Sequence, residues 1–177
     1  MTEHLEIHGR DGAARRGELR LSDSLSTPAL VDDVLEDGGS RWHEDRPLPT
    51  GDDSRLTILP HRALPPGTEP PIEEAFGVEY PDVEFPSAAV VSPTTADDYG
   101  ADAYVLSNAG GYAGHAEAFV EALLSVRRAI PDDTALYAPA VATPANVATL
   151  AYAGIDLFDE KRARARGLEG FYLTTDG

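Results

Sequence analysis

Two carboxylates stand three residues apart in Gly154-Ile155-Asp156-Leu157-Phe158-Asp159. The run between them is short and apolar, as in a buried strand. An acidic side chain at the carboxyl end of a strand can act as nucleophile or general base. Along an extended strand, i and i+3 point to opposite faces. Asp156 and Asp159 therefore do not form a carboxylate pair while the strand lasts. Asp159 also falls where a helix can begin, so N-capping competes with catalysis, and on spacing alone it is the stronger reading. Just downstream, Arg162, Arg164 and Arg166 alternate in a basic segment that starts at Lys161. They suit a phosphate backbone. Equally, they suit the role of solvated partners for nearby carboxylates, the default in an acidic chain.

Other chemistries find less support. Ser107-Asn108-Ala109-Gly110-Gly111-Tyr112-Ala113-Gly114 precedes a helical pattern, and a glycine-rich helix entry can bind an anion through backbone N–H groups. It is neither GxGxxG nor a P-loop, so a tight turn of small residues is the favoured reading. His4, His8, His43, His61 and His115 show no metal-ligand spacing. No serine sits in a GxSxG elbow. The absence of cysteine excludes thiol nucleophiles, disulfides and cysteine-held zinc. Neither metal nor cofactor is expected.

Elements must position these residues. Residues 4–8 and 16–21 read as a hairpin, with the turn at Gly9-Arg10-Asp11-Gly12. Residues 29–37 read as a short helix, and 38–55 as a surface loop. From Leu56 onward, short apolar strands alternate with helical periods. Strands are predicted at 56–59, 87–91, 103–106, 135–138 and 155–158. A short helix is predicted at 70–76 and one helical turn at 94–99, capped by Thr94 or Thr95. The clearest helix is His115 to Ala129, stopped by Pro131. Another begins near Pro144, with Thr143 as N-cap, and ends at Gly154. Tyr172-Leu173-Thr174 reads as extended. Such alternation implies a parallel sheet covered by helices, either open and doubly wound or closed as a barrel. A full barrel takes about 250 residues, more than the 177 present.

Charge bounds the setting. The chain carries 31 acidic against 14 basic residues, a formal net charge of −17, and its single lysine is Lys161. A compact domain so acidic repels itself in dilute buffer. In molar salt the Debye length falls to about 3 Å and screens that repulsion. The composition therefore fits a salt-loaded cytoplasm. No apolar run approaches the roughly 20 residues of a membrane span, and the polar start is unlike a secretory leader. Acidity does not exclude an RNA partner at high salt, where counterion release contributes little. Affinity would then come from shape, stacking and hydrogen bonds.

Two stretches resemble the tRNA-guanine transglycosylase family. One is the opening, with Leu5-Glu6-Ile7, Arg10-Asp11-Gly12-Ala13-Ala14-Arg15-Arg16-Gly17-Glu18-Leu19 and Ser26-Thr27-Pro28. The other runs from Tyr137-Ala138-Pro139 and Thr143-Pro144 through Gly154-Ile155-Asp156-Leu157-Phe158-Asp159 to Gly167, Gly170, Thr174, Asp176 and Gly177. Leu59-Pro60-His61-Arg62, Pro81-Asp82-Val83 and Ala101-Asp102-Ala103-Tyr104-Val105-Leu106 are similar to its archaeosine synthase branch.

The resemblance implies an α/β fold: a partial or reduced (β/α) TIM-like barrel preceded by an N-terminal β-hairpin arm. Residues 1–55 would hold the arm and loop, and 56–177 the β/α units, as one incomplete domain. Asp159 would match the catalytic nucleophile that attacks a tRNA ribose carbon. Asp156, Arg162, Arg164 and Arg166 would be substrate-binding. The family's loop with its acid/base Asp has no secure counterpart: Ser107-Asn108-Ala109-Gly110-Gly111-Tyr112 looks like it but lies too close to Asp159 in sequence, and an Asn cannot transfer protons. The base-recognition motif and the zinc cysteines have no counterpart. The implied function is tRNA modification in the archaeosine pathway, in which the family attaches lysine to the nitrile of preQ0 in tRNA through its later domains, so that this N-terminal part would be inactive alone. Its partners would be tRNA and a C-terminal part or separate subunit, with an oligomer possible. The alternatives are a minimal transglycosylase using Asp159 and a non-catalytic tRNA-binding scaffold.

Overall fold

The computed structural model describes residues 5–31, 33–38, 49–61, 68–69, 71–72, 80, 82–112 and 114–175. It is mixed α/β, with an antiparallel sheet ahead of a larger parallel one. Strands β1 (Leu5–Asp11), β2 (Ala14–Arg20) and β3 (Ser24–Thr27) form the first sheet in that order. The β1–β2 turn is tighter than the sequence suggests. Asp11 pairs with Ala14, and Gly12 takes the turn at φ +61, a conformation glycine adopts freely. The strands accordingly run farther than expected.

The second sheet contains β4 (Ala29–Leu30), β5 (Leu35–Asp37), β6 (Leu56–Ile58), β7 (Ser87–Val91), β8 (Ala103–Leu106), β9 (Ala135–Tyr137) and β10 (Leu157–Phe158). Its order is β4-β10-β9-β8-β7-β6-β5, and every pairing is parallel. The helix expected over 29–37 is therefore replaced by two strands. Each is held by long-range pairing, β4 to β10 and β5 to β6. Such pairing overrides a local helical pattern this short. The sheet thus takes strands from both sides of residue 55.

β4 and β5 lie at opposite edges of the seven-stranded sheet, yet only residues 31–34 separate them. A flat sheet of this size would set its edges about 29 Å apart. The chain from Leu30 to Leu35 reaches at most about 18 Å. The Leu35 N–H donates to the Val31 carbonyl at 3.0 Å, so this connection is compact. The sheet must curl so that its edges approach one another, as a partial TIM-like barrel.

Strand alternation then sorts the core. Ala88, Val90, Ala103, Val105, Ala135, Tyr137 and Leu157 share the inner cluster with Leu5 and Leu19 of the hairpin. Ala88, Ala103 and Ala135 are register neighbours near the start of their strands. Their small side chains leave room that the hairpin leucines fill. The outer cluster contains Ala89, Tyr104, Leu106, Leu136 and Phe158. Against it lies α1 (Ala116–Ala129), which buries Phe119, Ala122, Leu123 and Val126. Arg127 and Arg128 occupy its last turn, where cations suit the helix dipole, and Ile130 is already extended before Pro131.

Two further helices follow, α2 (Val147–Tyr152) and α3 (Lys161–Leu168). α2 starts later than expected. Asn146, not Thr143, precedes it, and the Asn146 Oδ1 accepts from the Thr143 N–H at 2.7 Å, which fixes a turn over Pro144. Gly154 follows α2 at φ +98, as its glycine suggested. Residues 94–99 form no helical turn. The Ser92, Thr94 and Thr95 hydroxyls bond one another and local backbone, which competes with helix formation. Residues 171–174 join no strand. Most of the helix expected at 70–76 and the loop over 39–48 lie outside the described residues.

Candidate functional site

β10 is short, and each of its ends carries one of the two carboxylates. Leu157 belongs to the inner cluster and Phe158 to the outer one. By the same alternation Asp159 turns inward at the carboxyl end, while Asp156 turns outward at the start. The two acids share no partner, as the three-residue spacing implied.

Asp159 is 1% exposed. Its Oδ2 accepts from the Tyr137 hydroxyl at 2.5 Å. The Ala140 N–H donates to both carboxylate oxygens, at 3.0 and 3.1 Å. The Lys161 N–H donates to Oδ1 at 3.2 Å, and the Lys161 ammonium lies 3.8 Å from Oδ2. The N-cap position of α3 falls on Glu160, one residue after Asp159, and carries no side-chain cap bond. Asp159 stands at the barrel's carboxyl-end mouth, where chemistry collects in parallel α/β folds. It also satisfies an orphan amide in the first turn of α3.

The loops that follow β8 and β9 adjoin at this mouth. A Cβ on Gly110 would lie 3.8 Å from the Ala140 carbonyl oxygen. Gly110 sits in the 3-10 turn Ala109–Tyr112, so the glycine-rich segment is a compact turn. Asn108 and Ala140 both adopt the left-handed region, at φ +52 and +57. Among the described residues, no group of three or more His, Asp or Glu side chains could hold a metal ion.

At the opposite end, Asp156 is 1% exposed and bonded to Arg15 from β2, itself 6% exposed. Arg15 Nε donates to Asp156 Oδ1 at 3.1 Å, and Nη2 donates to Oδ2. Asp156 Oδ2 also accepts from the Leu136 N–H at 2.8 Å. Arg15 reaches the Asp132 and Thr134 carbonyls at 2.6 and 2.9 Å. Burial pulls the nearby Arg127 guanidinium down to about 10, and the Arg15 charge adds to the effect. Asp156, expected to bind substrate, is thus enclosed beneath the hairpin and away from the mouth.

The three arginines on α3 remain at the surface. Arg164 pairs with Glu160 at 3.1 Å, and Arg166 with Glu169 at 2.7 Å. The Arg166 guanidinium also lies 4.2 Å from the centre of the Phe171 ring. Arg162 is half-buried. Sequence reasoning missed Tyr137, Ala140 and Arg15 as partners of the two acids. Their spacings of 22, 19 and 141 residues carry no local signal.

No protein-family model matches the chain. Over its whole length the chain is 63% identical to 177 residues of archaeosine synthase from Haloferax volcanii. The chain is thus homologous to part of an archaeosine synthase. It is also 36% identical, in an alignment of 205 residues that includes the whole chain, to archaeosine synthase subunit alpha from Methanosarcina acetivorans. The chain spans 30% and 32% of the length of these two relatives. The resemblance to the archaeosine synthase branch is therefore borne out across the full sequence.

Proposed function

We propose that the chain is the N-terminal, barrel-bearing part of an archaeosine synthase, that it serves tRNA modification in the archaeosine pathway, and that it does not turn over alone. The observation that carries this reading is full-length similarity to about a third of each relative, at 63% and 36% identity. The enclosed carboxylate of Asp159 agrees with it. In this reading tRNA is the substrate, the cytoplasm is the setting, and a C-terminal part or separate subunit supplies the amidation chemistry. The β1–β3 arm (Leu5–Thr27) acts on the barrel units, whose sheet already includes β4 and β5. Arg162, Arg164 and Arg166 are the side chains offered to tRNA phosphates. The test is incubation of the purified chain with preQ0-containing tRNA and lysine, with and without the remaining part of a full-length relative. Conversion is expected only with the added part, and full conversion by the chain alone would overturn the proposal.

A second reading is favoured by the place of Asp159 at the carboxyl end of β10, facing the barrel interior. There Asp159 is the nucleophile of a minimal transglycosylase. Guanine exchange into tRNA that is abolished by Asp159→Asn supports it. Absence of exchange in molar salt removes it.

A further inference from the structure

Asp159 receives hydrogen bonds from three separate segments. Tyr137 comes from the end of β9, Ala140 from the loop after it, and Lys161 from the first turn of α3. The two carboxylate oxygens accept from a hydroxyl and two amides, with an ammonium at 3.8 Å, and the side chain is 1% exposed. A nucleophilic oxygen must bring a lone pair to about 3–3.5 Å from the carbon it attacks. These donors stand around both oxygens.

Ala140 gives an independent indication. Its φ of +57 lies where an L-residue other than glycine is strained. Such a conformation persists only where the surroundings over-determine it. The visible contact that fixes the Ala140 amide is its bifurcated bond to Asp159.

We infer that Asp159 is a buried latch. It fastens the loop after β9 and the start of α3 to the end of β10, and so closes the mouth of the barrel over Tyr137. The latch deepens the reading that the isolated chain does not turn over, and it rests on that reading only for its functional meaning. Substrate access to the carboxylate would require Ala140 to release it and the loop to swing away.

The experiment is a double-mutant cycle on Tyr137→Phe and Asp159→Asn, read by urea unfolding in molar KCl and by hydrogen exchange at the Ala140 amide. Each single variant is expected to lower the folding equilibrium constant about 10- to 100-fold, the size of one buried hydrogen bond to a charged group. The double variant should lose little more than the worse single one. Ala140 exchange should accelerate at least tenfold in Asp159→Asn. Ala140→Gly, which relieves the left-handed strain, should leave the fold as stable as before or more so. If Asp159→Asn does not fold, Tyr137→Phe carries the exchange measurement by itself. Unchanged unfolding and unchanged Ala140 exchange in Asp159→Asn would overturn the latch, all the more if guanine exchange disappeared at the same time. Failure of tRNA conversion in the reconstituted system would sink the pathway reading and leave these stability readouts untouched.

Discussion

Asp156→Asn is the perturbation whose effect the structure constrains tightly. The Arg15–Asp156 pair is buried on both sides, at 6% and 1% exposure. It fastens the hairpin to the starts of β9 and β10. Removing one partner of such a pair leaves an uncompensated charge, a cost of about 3–5 kcal/mol. Asn keeps one oxygen for the Leu136 N–H, and Arg15 keeps the Asp132 and Thr134 carbonyls. The expected loss therefore lies near the low end, about 3 kcal/mol. Asp156→Ala also strips the acceptor from a buried amide, adding about 1–3 kcal/mol. That total approaches the whole stability of a small domain, about 5–15 kcal/mol. Arg15→Met should cost less than Asp156→Ala, because it relieves Arg127, whose charge is disfavoured first by burial and then by Arg15. In Arg15→Met/Asp156→Leu neither charge remains to be desolvated, so the double variant should be more stable than the two single losses added together. Urea titration at one KCl concentration, followed by circular dichroism, of the wild type, Arg15→Met, Asp156→Leu and the double variant measures all four corners. Single losses each below about 1 kcal/mol, the range of an exposed pair, would refute the reasoning. So would strict additivity.

Other outcomes follow from single features. Gly17→Ala should destabilise the hairpin by about 1–3 kcal/mol, the usual cost of overpacking, because its Cβ would lie 2.2 Å from the Glu6 carbonyl oxygen; comparison of urea midpoints checks this. Burial pushes the Tyr104 phenol up to about 12, against the Tyr99 N–H that favours its anion. Between about pH 10, the unfolded value, and that folded value, the unfolded chain binds fewer protons. Stability should therefore fall across this window, and Tyr104→Phe should flatten the decline in melts run from pH 9 upward. With a net charge of −17, the midpoint of thermal unfolding should rise by several degrees as KCl goes from dilute to molar. A midpoint independent of KCl would remove the salt-adapted reading.

The strands β6 to β10 were legible because buried parallel strands are short, apolar and bounded by turn residues. His115 to Ala129 was legible because its apolar positions recur at helical spacing and Pro131 stops it. The opposed directions of Asp156 and Asp159 followed from the two-residue period of a strand. Residues 29–37 were not legible, because Ala29, Leu30, Val31, Val34 and Leu35 fit a helix locally. Only pairing to β10 and β6, distant in sequence, makes them strands and draws the sheet's edges together. Arg15 gave no sign that it would be buried, since a surface arginine and an ion-paired core arginine look alike in sequence. The same holds for Asp159. Its sequence position named a strand end and, by resemblance, a nucleophile. The parallel pairing of β9 with β10 brought the Tyr137 hydroxyl and the Ala140 amide onto its carboxylate, because contacts between neighbouring strands and their loops depend on register, which no local pattern encodes.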